Sequence, residues 1–326
     1  TWDDPEVLAA NGGLVHPPVD TMAGIHGPLI PGEAETEDEE IGAVVVAVTE
    51  EICDQALRRI DVEWEVLPAI VDALDGLAPA APVIGHDPGG LVSNFSVGDV
   101  EAGFREADHI LEFDWSHSKT ASHPPNPNGS VAWWAQDPWG AEGPTLYIEG
   151  VCPTWGAFQL LPLYDVPFDR LHRKTLFQGG RYCDWIIRRS QLVTPLLARR
   201  TGRPVRCVNV RQNDYYTANP QRYSHVKIGF NRDSAILAVE ESTIGDQGAP
   251  EDRASVSGGF EARFSPFNTT RCVNQKSRFQ GVYTNSGRNT LSQTSPFNWD
   301  VMTIAEQVIA ERLGIDVIDV ALKNVH

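Results

Sequence analysis

Between Ile41 and Val66 the hydrophobic pattern changes period twice, and few chain topologies accommodate that. Gly42-Ala43-Val44-Val45-Val46-Ala47-Val48 is a short β-branched run of the kind that fills a buried strand. Thr49 then offers an N-cap, and Glu50, Glu51 and Asp54 suit the positive end of a helix macrodipole. The helix is expected to run to about Arg59, with Ile52, Ala56 and Leu57 on one face. From Ile60 to Val66 apolar and acidic residues alternate, which predicts a half-buried strand that Pro68 stops. A strand, a helix and a strand in such close succession predict a small α/β domain. Ahead of them, residues 1–40 are rich in Pro, Gly and acid and end in the run Glu33 to Glu40, so irregular surface chain is expected there, with the start of the domain missing in front of it.

Beyond Pro68 the pattern resumes in pieces. Residues 73–93 read as a Pro/Gly/Ala linker. Gly98 to Phe104 starts a short helix, followed by strands at His109 to Trp115, Ser130 to Trp134 and Leu146 to Gly150. Helices are expected at about Trp155 to Leu163 and Trp185 to Arg200, then a strand at Val205 to Val210. Ser224 to Phe230 and Ile236 to Ile244 form a hairpin about the turn Asn231-Arg232-Asp233. Ile304, Ala305, Val308, Ile309 and Leu313 fall at helical spacing, Gly314 stands where a helix needs its C′ residue, and Ile315 to Leu322 reads as one more short helix. There are no internal repeats. The class is α+β (mixed α/β), divided into residues 1–75, a linker over 76–95, and a larger domain over 96–326.

Charge and cysteine content remove whole classes of function. Acidic residues outnumber basic ones 44 to 26, a formal charge of −18, which disfavours nucleic acid as a partner. One stretch runs against that trend: Arg170, Arg173, Lys174, Arg181, Arg188, Arg189, Arg199, Arg200, Arg203, Arg206 and Arg211. It is either a solvated face paired with the acidic remainder or a surface turned to an anionic cofactor or acidic subunit. The five cysteines are widely spaced with no CxxC, which speaks against a disulfide framework and against zinc or iron–sulfur ligation. No HExxH pair is present, so no metal is expected to be held by protein side chains. No apolar run approaches the roughly 20 residues that span a bilayer, and no signal peptide is visible, so a cytoplasmic location is expected. His117, His123 and His225 read as surface or hydrogen-bonded histidines. Cys152 and Cys183 read as small buried residues or as neighbours of a cofactor. Asp184 is sufficiently explained as a charge at a helix start, and Trp133, Trp134 and Trp139 as core or subunit interface.

Several segments together resemble the large subunit of the xanthine oxidase/aldehyde oxidase family. Ile41 to Thr49, Ala56-Leu57 and Val62 to Asp72 resemble the end of that family's hammerhead α/β domain. Gly98-Asp99-Val100-Glu101-Ala102-Gly103-Phe104 resembles the entry to its first molybdenum-cofactor-binding domain, and Thr201-Gly202-Arg203-Pro204-Val205-Arg206 the strand after that domain's long helix. The hairpin ending Gly245-Asp246-Gln247-Gly248, and the run from Glu306 through Leu313-Gly314-Ile315-Asp316 to Leu322-Lys323-Asn324, follow in the family's order. The resemblance covers roughly residues 41–326. It implies a hammerhead remnant plus a cofactor-binding domain, in which a molybdenum–pterin cofactor carries the redox chemistry while the protein orients it.

The positions nearest the metal depart from the family. Its Gly-Gly-Gly-Phe-Gly-Gly-Lys loop is matched only by Phe177-Gln178-Gly179-Gly180-Arg181, either a rebuilt cofactor loop or a tight turn that needs glycine. Its Ala-Tyr-Arg-Gly loop corresponds to Val282-Tyr283-Thr284-Asn285-Ser286, with Thr284 in the place of the arginine unless Arg288 substitutes. His123 to Gly129 lacks the family's acid, and Gly150 to Thr154 its glutamine. The resemblance therefore implies cofactor contacts at Phe177, Gln178, Gly179, Gly180 and Arg181, and substrate-side contacts at Tyr283, Asn285, Ser286 and Arg288. It assigns no catalytic residue here, because the family's glutamate base belongs to a second cofactor-binding domain that is expected on a partner chain. It implies molybdopterin in a dinucleotide form, a [2Fe–2S] subunit, possibly an FAD subunit, and a small organic substrate. A hydratase acting on an activated alkene or ketone, and a non-catalytic scaffold subunit, stand as alternatives.

Overall fold

Local capping decides where the helices begin. Thr49, extended at φ −139°, accepts from the amide of Ile52; Asp99 accepts from Ala102 and Asp316 from Ile318. Each satisfies one of the amides that a helix start leaves without an intrahelical partner. The computed structural model describes residues 34, 43–84, 92–121, 127, 129–136, 144–150, 160–161, 163–174, 189–210, 218–219, 221–249, 266–286 and 299–326. Along the chain these include α1 (Glu50–Leu57), β1 (Val92–Val97), α2 (Val100–Glu106), β2 (His109–His117), β3 (Gly129–Gln136), β4 (Pro144–Glu149) and β5 (Leu171–Lys174). They continue with α3 (Arg189–Thr201), β6 (Val205–Val208), β7 (Arg222–Phe230), β8 (Ile236–Gly248), β9 (Gln275–Tyr283), α4 (Trp299–Leu313) and α5 (Val317–Asn324).

Two compact units interleave along the sequence. One takes residues 1–68, 121–217 and 251–254; the other takes 69–120, 218–250 and 255–326. Within the second, the sheet order is β1–β9–β8–β7–β2, with β8 and β9 parallel and the other neighbours antiparallel. Val226, Ile228 and Phe230 project at the two-residue period of β7 into a core shared with Leu111 and Val239. Val301, Ala305 and Ile309 of α4, all without solvent exposure, and Val320 of α5 complete that core. The left-handed Gly314 (φ +68°) ends the α4 turn as its sequence position predicts.

The first unit packs α3 on a sheet of order β5–β4–β3–β6, in which β4 and β5 are parallel. Ala132, Leu146, Ile148 and Leu171 meet Leu192 and Leu196 of α3. Pro195 inside α3 cannot donate an amide, while its own carbonyl accepts from Trp134 Nε1 at 2.8 Å. The Tyr164 hydroxyl donates to the Leu192 carbonyl, and burial pushes that phenol far above its ordinary range. Arg199 lies over the Trp134 ring at 4.1 Å. On the same sheet Trp133, Tyr147 and His172 stack in a row, with centroid spacings of 5.1 and 4.8 Å.

The expected strand–helix–strand unit is corrected in part. α1 forms, capped by Thr49 and ending at Leu57, but it buries no residue. Residues 43–48 and 60–66 adopt no strand, and Val62, Trp64 and Val66 are 49%, 61% and 92% exposed. A strand exists only when a neighbour takes its backbone hydrogen bonds, and no described strand pairs with either segment. Conversely, β1 begins inside the expected linker, and β9 forms where no strand was predicted.

Candidate functional site

β2 and β8 both run antiparallel to β7, and β9 runs parallel to β8, so the carboxyl ends of β2, β8 and β9 gather at one end of the sheet. Carboxyl ends of like-directed strands are where open sheets place ligand sites. Lys119 lies just past β2, Asp246 near the end of β8, and Thr284 and Ser286 just past β9. The Asp246 side chain has no solvent exposure. Its Oδ1 accepts from the Thr284 hydroxyl at 2.6 Å and from the Gly248 amide at 2.7 Å. Its Oδ2 accepts from the Ser286 hydroxyl at 2.6 Å and from Lys119 Nζ at 3.3 Å. Lys119 Nζ also donates to Ser286 Oγ at 2.7 Å, and the two hydroxyl oxygens stand 2.5 Å apart. A buried carboxylate is costly unless paired and hydrogen-bonded, and here it is both.

The backbone of the same turn is tied down separately. Thr284 N donates to the Gly248 carbonyl at 3.0 Å and Asn285 N to the Ile70 carbonyl at 2.6 Å. The Asn285 side-chain oxygen takes the Ile70 amide at 2.8 Å, so Asn285 binds residue 70 as a neighbouring strand would. Beside it, Tyr223 donates to Asp72 Oδ2 at 2.8 Å. Burial, and then the Asp72 carboxylate, raise the Tyr223 phenol above its ordinary value.

The other unit shows a buried polar spot of a different kind. Ser190, in the first turn of α3, is 4% exposed, and its hydroxyl has no hydrogen-bond partner among the described residues. Its neighbour Gln191 donates to the Gly150 carbonyl at 2.6 Å. Gly150 sits at φ +88°, and a Cβ there would come within 2.3 Å of the Gly129 carbonyl. A buried hydroxyl without a partner among the described residues is a donor that suits an oxygen-rich group. That donor chemistry fits the phosphate and pterin oxygens of the cofactor implied by the sequence.

The molybdopterin cofactor-binding domain model matches residues 85–325. The chain belongs to that family. Among its relatives, a probable xanthine dehydrogenase subunit of Bacillus subtilis (strain 168) is 26% identical over 295 residues, covering 87% of this chain and 38% of the relative. The nicotinate dehydrogenase large molybdopterin subunit of Eubacterium barkeri is 24% identical over 305 residues, covering 87% of this chain and 67% of the relative. The solved aldehyde oxidoreductase from Desulfovibrio gigas shares the fold with a TM-score of 0.73 at 20% identity, covering 86% of this chain and 31% of that one. This cofactor-binding chain thus spans 38% of the length of its Bacillus subtilis relative. The expected kinship with the xanthine oxidase family and the mixed α+β class both hold.

Of the substrate-side residues predicted for this family member, Tyr283, Asn285 and Ser286 come together at the end of β9. Arg288 and the cofactor-loop residues Phe177, Gln178, Gly179, Gly180 and Arg181 lie outside the described residues. Sequence reasoning missed Lys119 and Asp246. A signal for Asp246 was present: an acid and a glycine close a strand that otherwise reads as buried. Nothing marked Lys119, since its partners lie more than a hundred residues away. Within the cationic stretch, Lys174 pairs with Glu149 at 3.3 Å, Arg206 with Glu50 at 3.4 Å, and Arg199 with the Tyr164 carbonyl at 3.2 Å. Those members are paired inside the protein. His225 is a surface histidine as expected, held between Asp114 at 2.8 Å and Glu112 at 3.1 Å. Among the described residues, no cluster of His, Cys, Asp or Glu could hold a metal ion, and no helix is long and apolar enough to cross a membrane.

Proposed function

We propose that this chain forms one wall of a molybdopterin site in a multi-subunit oxidoreductase acting on a small organic substrate. The match to the cofactor-binding domain over residues 85–325 carries the reading. When bound, the cofactor would supply the redox chemistry, and this chain's part is to bind it, orient it and shape the substrate side. The Ser190 hydroxyl supplies a donor suited to its anionic oxygens, with Phe177, Gln178, Gly179, Gly180 and Arg181 as further cofactor contacts. Tyr283, Asn285, Ser286 and Arg288 line the substrate side. In this reading residues 1–75 are the end of a hammerhead domain, 76–95 a linker and 96–326 the first cofactor-binding domain. A second cofactor-binding domain, a [2Fe–2S] subunit and an FAD subunit complete a cytoplasmic assembly, and the cofactor is the dinucleotide form.

A scaffold role is the second reading. It is favoured by the inward engagement of the Thr284 and Ser286 hydroxyls, which are both bound to Asp246. Metal and pterin analysis of the protein from its native source, with every co-purifying chain identified, separates the two. Molybdenum and pterin at about one per complex, with a chain carrying the second domain, is the result expected of the enzyme. Neither metal nor pterin would leave the scaffold.

A further inference from the structure

The carboxyl end of the five-stranded sheet holds a closed circuit of charge. Asp246 is fully enclosed, yet it receives two hydroxyls and an amide in addition to the Lys119 ammonium. The hydroxyl donors come from Thr284 and Ser286, and both sit in the turn that leaves β9. Lys119 reaches the same turn from the far edge strand, donating to Ser286 Oγ at 2.7 Å while its side chain stays 23% exposed. The Ser286 hydroxyl therefore has its proton directed to Asp246 and a lone pair directed to Lys119. Its rotamer is held by the ion pair together with the Thr284 hydroxyl of its own turn. The turn thus depends on one charge from the end of β8 and one from beyond β2.

We propose that Lys119 and Asp246 are positioning residues: a charge-paired clamp that fixes the Thr284–Ser286 turn. That this turn faces substrate rests on the function proposed above; that the pair holds the turn does not. The clamp also makes the two charges interdependent. Removing the ammonium leaves a buried carboxylate with hydroxyl donors only, and removing the carboxylate leaves the ammonium without its counter-charge. Neutralising both at once restores charge balance, so the double variant is less disturbed than the two single losses combined.

The test is hydrogen exchange in the full chain, in its native complex, read at the amides of Gly248, Thr284 and Ser286. Lys119→Met is expected to speed exchange there by about tenfold at unchanged melting temperature, as a local opening does. Lys119→Arg, which keeps the charge, restores most of the protection, and Lys119→Met with Asp246→Asn perturbs the turn less than the single changes sum to. Exchange within about twofold of the wild type in Lys119→Met overturns the clamp. So does Lys119→Arg exchanging as fast as Lys119→Met. Should Lys119→Met fail to fold, the near-isosteric Asp246→Asn decides: faster exchange confined to the three amides supports the clamp, and unchanged exchange overturns it. Molybdenum and pterin are assayed on the same preparations. Their absence from the wild type overturns the proposed function while leaving the exchange result to stand or fall alone.

Discussion

Asp246 and Ser190 are both buried polar residues next to a strand-end turn, one in each compact unit, and they are treated in opposite ways. Around Asp246 each carboxylate oxygen accepts from two donors. Around Ser190 the helix carbonyl is used, accepting from Ser130 Oγ at 3.1 Å, while the Ser190 hydroxyl is left without a partner among the described residues. A buried polar atom left unpaired costs about 1–3 kcal/mol, so folding alone gives no reason to keep one. The satisfied cluster has the character of architecture, and the unsatisfied hydroxyl is a cost that the fold carries.

The sharpest way to break this contrast is to remove the architectural carboxylate. Asp246→Ala leaves Lys119 and two hydroxyls without their acceptor and is expected to cost about 3 kcal/mol in a urea titration. A loss under about 1 kcal/mol would show that the cluster is dispensable. Next in size is Gly150→Ala, which forces a Cβ against the Gly129 carbonyl at φ +88°; about 2 kcal/mol of destabilisation is expected from the same titration. Ser190→Ala should move the other way in the cofactor-free chain, by up to about 1 kcal/mol toward stability, because it deletes an unpaired hydroxyl. The same variant should carry less molybdenum and pterin, and equal content would remove Ser190 from the cofactor's surroundings.

Glu306 sharpens the comparison from within the Asp246 unit. It is 7% exposed, one of its oxygens lacks a partner, and burial raises its carboxyl above the ordinary value. A carboxyl raised in the folded state binds its proton more tightly there than when unfolded. Its penalty is therefore absent below the unfolded value of about 4.3 and grows as pH rises through the higher folded value. Glu306→Gln should stabilise the chain by up to about 1 kcal/mol at pH 7 and by nothing near pH 3. Melting curves at the two pH values test this, and equal shifts at both would rule out a charge effect. The smallest effect is expected at His225, whose imidazole Asp114 and then Glu112 hold above its usual value. The stability that this exposed group adds is present below about pH 6.5 and is lost as pH rises through the folded value. His225→Ala should cost well under about 1 kcal/mol at pH 6, and a pH-independent cost would point to packing in place of charge.

What could be read in the sequence was whatever one segment decides for itself. Thr49 and Gly314 act on the turn they stand in, and both were placed correctly. The hairpin β7–β8 was legible because its two strands are neighbours in the chain. β9 was not, because its inward face carries Gln275 and Ser277 before Phe279, and polar residues on a buried face erase the alternation. Residues 43–48 and 60–66 failed in the other direction. Their pattern is that of strands, but a pattern supplies no partner. The candidate site divided along the same line: Tyr283, Asn285 and Ser286 were named only through the family resemblance of their segment, whereas Lys119 and Asp246 join through the order of the sheet.

That order also governs how the chain can be made. β2 and β7 lie side by side, Leu111 opposite Ile228, yet residues 121–217 of the other unit come between them in the sequence. During synthesis β2 must wait, with no strand beside it in this sheet, until that whole insert has left the ribosome and β7 arrives to pair with it. Such a delay rewards an insert that condenses early, since a collapsed segment brings its two ends together at a smaller entropic cost than a loose one. The α3 unit would then act as an internal folding aid for the sheet whose strands precede and follow it.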